Sequence, residues 1–118
     1  MKKGFTLLEL MIVVIIVGIL ASLAMPRFIN AANKAREAEA KNMLGAIRSS
    51  QLRYYLENNA YTDVVGELDI TIDPNPSTYY TYTSDPGTGT GVVGTATKTA
   101  GYTALTDYTI TYAGEISP

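Results

Sequence analysis

The stretch KKGFTLLELMIVVIIVGILASLAMP, from Lys2 to Pro26, carries one acidic residue, Glu9, near the start of a run that is otherwise almost wholly apolar. A carboxylate is costly to place in hydrocarbon, so a carboxylate in such a run usually has a partner and a function. With Phe5, Leu7 and Leu8 the run reaches the length of a membrane span. The sequence therefore predicts a membrane helix whose carboxylate needs a cation.

Two other kinds of N-terminal segment share this composition. Lys2 and Lys3 before an apolar run, with small residues at Ser22 and Ala24, are also typical of a secretory signal peptide. A signal peptide, however, needs neither Glu9 nor the periodic pattern that continues beyond Ala24. A plain single-pass anchor stays open, and the two lysines would place its N-terminus on the cytoplasmic side.

The composition bounds the rest of the chain. Its 118 residues suffice for one small domain, and the absence of cysteine and histidine excludes disulfides, thiolate metal sites and catalytic Ser/His or Cys/His arrangements. The net charge of -2 is unevenly distributed: six cations lie between Arg27 and Arg53, whereas from Glu57 onward Lys98 is the only one. A basic stem thus precedes an acidic C-terminal part, which favours either a solvated surface or contacts between copies.

The segment after Pro26 has the pattern of an amphipathic helix. Near-helical spacing relates its apolar positions, Ile29, Ala32, Ala40, Met43, Leu44, Ile47, Tyr54 and Tyr55. Asn58 and Asn59 predict the helix end, because asparagine tolerates the left-handed conformation of a helix stop. Gly18 and Pro26 are predicted weak points, since glycine lowers helix propensity and proline lacks a backbone donor.

The C-terminal part, residues 59–118, is predicted to form three or four short antiparallel strands packed on the helix between Ala40 and Leu56. Alternating apolar or aromatic residues indicate these strands at Leu68, Ile70 and Ile72, at Tyr80 and Tyr82, and at Tyr108, Ile110 and Tyr112. The Gly/Thr-rich stretch near 84–101 is predicted to be a flexible, solvent-facing loop.

The N-terminal stretch resembles the leader and first helix of the type IV pilin family, which includes pilus subunits and type II secretion pseudopilins. The resemblance rests on a short basic leader ending in Gly4, followed by Phe5, Glu9, Gly18 and Pro26 at the family's spacing. It implies an α+β, lollipop-shaped protein: a cleaved leader (1–4), a long helix (5–58; 5–26 for membrane and filament core, 27–58 amphipathic) and an antiparallel head (59–118).

The resemblance also implies how the N-terminus is processed. A prepilin peptidase cuts between Gly4 and Phe5 and methylates the new amino group of Phe5. Glu9 then faces the ammonium of a neighbouring subunit, which selects registered assembly because an unpaired buried charge is penalised. In the family's filaments, a stretch bracketed by residues like Gly18 and Pro26 loses helix.

We therefore interpret the chain as a structural subunit of a type IV pilus, held in the inner membrane before assembly and then polymerised by the pilus machinery into an extracellular filament. A type II secretion pseudopilin is the alternative within the family, and a membrane-anchored binding domain is the alternative outside it. No enzymatic activity, cofactor or nucleic-acid partner is expected. For the pseudopilin alternative, the resemblance implies a calcium ion bound in a C-terminal loop. The aspartates that could supply oxygen ligands are interpreted instead as turn and surface residues: Asp69, Asp73, Asp85 and Asp107.

Overall fold

A computed structural model describes residues 2–72, 79–88 and 90–118. The chain divides into two compact units, Met1–Lys34 and Ala35–Pro118. In chain order, the elements are α1 (Leu7–Asn58), one 3-10 turn (Val65–Glu67) and four strands: β1 (Tyr80–Ser84), β2 (Val92–Lys98), β3 (Tyr108–Thr111) and β4 (Ile116–Ser117). The predicted α+β class, a long helix with an antiparallel sheet, is confirmed.

Helix α1 begins two residues later than predicted and ends where predicted. Its first helical residue is Leu7 rather than Phe5, and it continues without interruption through Gly18 and Pro26. Asn59 follows the last helical residue with a φ of 54°, and its N–H donates to the carbonyl of Tyr55 at 2.8 Å. The left-handed asparagine is the predicted stop signal.

The strands form one antiparallel sheet in the order β1-β2-β3-β4. β1 pairs with β2 from Tyr80 opposite Lys98 to Ser84 opposite Gly94, and β3 pairs with β4 at Ile110 opposite Ile116. The strands predicted from the tyrosine-rich alternation are therefore present as β1 and β3. Sequential antiparallel neighbours need only short connections, which suits a head of this size.

One face of the sheet packs on α1 to form the core of the second unit. Ala40, Leu44 and Ile47 of the helix are fully buried. They belong to one cluster with buried residues from the loops and strands, namely Leu68, Tyr80, Val93, Ala96, Leu105, Tyr108 and Ile110. The buried face of α1 ends at Gln51 and does not reach Leu56 as predicted, because Leu56 is 81% exposed.

The interpretation of residues 84–101 as one loop is wrong for Val92–Lys98, which form β2, an inner strand between β1 and β3. Gly94 lies in the Gly/Thr-rich stretch that suggested a loop, but packing explains why this residue is a glycine. A Cβ at Gly94 would lie 2.9 Å from Ile47 Cγ2 and 3.3 Å from Ile110 Cγ2. Gly94 is therefore small because the helix and β3 approach the strand closely there.

The strand predicted at Leu68, Ile70 and Ile72 is also wrong: these residues follow the 3-10 turn without forming a strand. Leu68 is buried, and the two isoleucines pack against the core while partly exposed. Alternating burial needs only an extended chain lying on a core, not a hydrogen-bonded neighbour. Asp73 lies outside the described residues.

Candidate assembly and processing site

The N-terminal part of α1 carries an apolar surface on which none of the described residues packs. From Phe5 to Phe28 the large apolar side chains are between 48% and 93% exposed. The helix is long and apolar enough to cross a membrane, and no residue of its most apolar window is buried. Exposed apolar surface of this extent calls for lipid or protein contacts. We call these exposed side chains, from Leu7 to Phe28, the apolar helix surface.

Glu9 is held by the residue that precedes the helix. The Thr6 backbone N–H and hydroxyl donate to Glu9 Oε2 at 2.9 and 3.0 Å, and the Glu9 N–H donates to Thr6 Oγ1 at 3.2 Å. This reciprocal arrangement is a capping box, in which a threonine before the helix and a glutamate three residues later satisfy each other's backbone donors. It explains why α1 begins at Leu7.

The sequence reasoning missed this contact, although its signal was present. The letters TLLE, from Thr6 to Glu9, before an apolar run are the signature of a capping box. Glu9 therefore has a partner inside its own chain in addition to the predicted neighbour. Only its Oε2 atom is used: among the described residues, none other donates a hydrogen bond to Glu9.

The predicted cleavage junction lies just outside the helix. Residues 2–6 have no regular structure, and Phe5 is 93% exposed. A Cβ added at Gly4 would meet no atom within 4 Å, and the same holds at Gly18. The fold of the chain thus demands glycine at neither position. A requirement for glycine there must come from outside the single chain.

A buried glutamine joins the end of α1 to the head. Gln51 is fully buried; its Nε2 donates to the carbonyls of Thr62, Asp85 and Val93 at 2.7, 3.1 and 3.2 Å. Its Oε1 accepts from the Thr62 N–H at 3.0 Å. One side chain therefore connects the helix, the segment after it, the β1–β2 connection and β2. The sequence analysis of the helix did not predict a role for Gln51, because it considered only the spacing of apolar residues.

Two carboxylates of the segment after the helix are also anchored to α1. Arg53 Nε and Nη2 donate to Asp69 at 2.8 and 2.6 Å, and the Ser50 hydroxyl also donates to it. Arg53 and Ser50 together lower the pKa of Asp69 to about 2. Glu67 accepts from the hydroxyls of Thr62 and Tyr54, which lowers its pKa.

Two further aspartates of the head, Asp85 and Asp107, have protein donors at separate places. Asp85 Oδ1 accepts from the Gly87 N–H at 2.9 Å, and Asp107 Oδ1 accepts from the Lys98 N–H at 2.7 Å. Within residues 2–72, 79–88 and 90–118, no three acidic side chains converge on a common point that could hold a metal ion. These carboxylates act as turn and strand-end acceptors.

The tyrosines of the head are mostly packed, as predicted. Tyr80 and Tyr108 are buried in the core, and burial is the main cause that raises the pKa of Tyr80 to about 12. Tyr79 and Tyr102 meet edge to face at 5.0 Å, with the Arg36 guanidinium 4.1 Å above the Tyr79 ring. Rings used in this way stabilise the head.

Comparison with known families matches both parts of the chain. Residues 1–25 match the model described as "Prokaryotic N-terminal methylation motif". Residues 37–116 match the model described as "Type IV pilin-like G and H". The second match covers more than half of the chain and includes the whole described sheet apart from its last residue.

The relatives that match this sequence carry names of two kinds, type IV pilin and type II secretion system protein. The "Type IV major pilin protein PilA" of Myxococcus xanthus is 43% identical over 67 residues, which are 57% of this chain and 30% of that protein. The "Type II secretion system core protein G" of Aeromonas hydrophila is 36% identical over 83 residues, 66% of this chain and 58% of that protein. The chain thus spans from under a third to just over half of these relatives' lengths. No solved structure matches.

Proposed function

The chain belongs to the type IV pilin-like family, a family of structural subunits rather than enzymes, and we propose that it is the major subunit of a type IV pilus. In this proposal the subunit waits in the inner membrane as a precursor. The pilus assembly machinery then polymerises it with copies of itself into a filament outside the cell.

The observation that carries the proposal is the apolar helix surface. Its side chains are about half exposed or more along six turns of helix, ahead of a head that has its own buried core. Such a surface is stable in lipid before assembly and in contact with identical helices afterwards. One helix that exchanges lipid for neighbours explains both an anchored precursor and a polymer.

Processing at Gly4 and Phe5 is the second part of the proposal. The open space around Gly4 and the exposure of Phe5 support cleavage of the bond between them by a prepilin peptidase, followed by N-methylation of Phe5. The new ammonium at Phe5 supplies the cation for Glu9 of a neighbouring subunit. Glu9 keeps its bonds to Thr6 through Oε2, which leaves Oε1 for that contact.

A type II secretion pseudopilin is the second candidate, because core protein G relatives align over more of the chain than the major pilin does. A calcium-bound loop is the feature that the resemblance leads one to expect of that candidate. Asp69, Asp85 and Asp107 are instead each engaged by protein donors in different parts of the head. Because these aspartates already accept hydrogen bonds from protein groups, the pilus subunit is favoured over the pseudopilin.

The test is to purify filaments shed from cells and to identify their subunit by mass. We expect a chain that begins at methylated Phe5, and we expect Gly4→Arg to leave the leader attached and the surface bare. Filaments that contain no such chain would contradict the pilus proposal. A secreted product that begins at Met25 would instead support the signal-peptide interpretation. Filaments that form only when secretion genes are overexpressed would indicate the pseudopilin.

A further inference from the structure

Two surfaces of the chain carry charged side chains that form no observed hydrogen bond or ion pair with the described residues. Most charged side chains of the second unit have partners within it: Arg53 binds Asp69, Lys98 binds Asp107, and Arg48 donates to the Tyr112 carbonyl. Among the described residues, Arg27, Lys34, Glu57 and Asp63 are exposed and form none of the observed hydrogen bonds or ion pairs. Arg27, Glu57 and Asp63 are each next in sequence to a large exposed apolar residue, and Lys34 lies two helical turns from Arg27.

The first surface lies on α1 directly after Pro26. Arg27 and Lys34 are seven residues apart, which places them on one side of the helix two turns from each other. Phe28 lies beside Arg27 and is 73% exposed. Ala31 lies between the two cations and is small enough to let another surface approach. We call Arg27, Phe28 and Lys34 the basic stem surface.

The second surface lies where α1 ends. Leu56 is 81% and Val64 50% exposed, and each is next in sequence to an exposed acid, Glu57 and Asp63 respectively. The chain turns back here through Asn59, so that the rings of Tyr55 and Tyr61 stack with centroids 4.8 Å apart. We call Leu56, Glu57, Asp63 and Val64 the acidic turn surface.

We propose that the basic stem surface of one subunit docks on the acidic turn surface of a second copy of this chain. Each surface combines exposed apolar side chains with two charges of one sign, and the signs are opposite. Charge complementarity of this kind selects partner and register. This inference rests on the proposed function, because it names a contact that such a filament would make where the apolar helix surface ends.

The pairing also accounts for an open polymer. Two different surfaces that fit each other make a head-to-tail contact, and repetition of that contact gives a filament unless the rotation happens to close a ring. Every added subunit then presents a new basic stem surface or a new acidic turn surface to the next. A contact between two copies of a single surface would stop at a dimer.

Charge reversal tests the pairing. In Arg27→Glu/Lys34→Glu and in Glu57→Lys/Asp63→Lys, like charges oppose each other, and we expect filament yield to fall at least about tenfold. Combining all four substitutions restores opposite charges, and filament yield should recover. The matched control is Glu39→Lys/Glu115→Lys, which changes two exposed acids by the same net charge and should assemble normally. Failure of the fourfold variant to recover, or an equal loss in the control, would overturn the proposal.

Cross-linking gives a second measurement that does not depend on yield. The chain has no cysteine, so Phe28→Cys/Leu56→Cys introduces the only two thiols. In assembled filaments, a short bis-maleimide should link this double variant into a ladder of multimers and leave each single variant monomeric. Filaments of the double variant without such a ladder would overturn the docking while leaving the pilus proposal intact. Absence of wild-type filaments would overturn both.

Discussion

At the scale of single residues, Glu9 has two separable functions. Its carboxylate caps α1 through Thr6 in the isolated chain, and we propose that it pairs with a neighbour's Phe5 ammonium in the filament. Glutamine also satisfies a capping box but carries no charge. Comparing Glu9→Gln with Glu9→Leu therefore separates helix capping from charge pairing.

For this pair we expect membrane insertion of both variants and a low filament yield from both, because neither retains the charge. Only Glu9→Leu should lose the protection of the first helical amides, measured by hydrogen exchange on the full chain in lipid. Thr6→Ser should behave as wild type, since serine keeps the capping hydroxyl. Normal filaments from Glu9→Gln would remove the charge from the assembly mechanism.

At the scale of the element, the segment from Gly18 to Pro26 is helical in the isolated chain. A lone helix in lipid keeps this structure, because unsatisfied backbone groups are costly there. In a filament, neighbours offer other partners, so we expect the two positions to allow local loss of helix there. Open space around Gly18 means that a methyl group can be added without a clash.

Gly18→Ala/Pro26→Ala should raise helix propensity by about 1 and about 3 kcal/mol at the two positions. We expect this variant to insert and to be cleaved, but to form fewer or stiffer filaments, measured by counting and by stretching single filaments. Cryo-EM of wild-type filaments is the structural check. A regular helix from Phe5 through Arg36 in those filaments would contradict the loosening.

At the scale of the whole molecule, the head is secured to its helix by polar as well as apolar contacts. Gln51→Leu would leave the Thr62 N–H and several carbonyls without their amide partner in a buried place. We expect it to lower the free energy of unfolding by about 3 kcal/mol. Urea unfolding of the full chain in mild detergent, followed by tyrosine fluorescence, measures this loss.

Ser84→Ala is the matched control for that measurement. Ser84 is also buried in the head, but within the described part of the chain its hydroxyl has no hydrogen-bond partner. Removing an unsatisfied buried hydroxyl should leave stability unchanged or raise it slightly. A loss in Ser84→Ala as large as in Gln51→Leu would show that the head is sensitive to any buried substitution and that Gln51 has no special role.

Features that depend only on neighbouring residues could be predicted from the sequence of this protein. The apolar run and the helix stop at Asn58 and Asn59 could be predicted because each depends on residues within one or two turns of chain. Cleavage between Gly4 and Phe5 also depends on a local pattern and stays a prediction. Even the Thr6–Glu9 capping box, which was overlooked, is such a local pattern. The amphipathic periodicity likewise identified Ala40, Leu44 and Ile47 as the face that packs on the sheet.

Features that depend on contacts between distant parts of the chain could not be predicted from local patterns. Position 94 of the inner strand is a glycine because Ile47, which is distant in sequence, approaches it closely. Without knowledge of that contact, the glycine suggests a turn. Leu68 and Ile70 alternate as in a strand, but they pack on the core without pairing with any strand in the described part of the chain. Gln51 serves four backbone groups from three later segments. Long-range packing and hydrogen bonding determine the structural roles of these residues, because a local sequence pattern does not show which distant groups will be in contact.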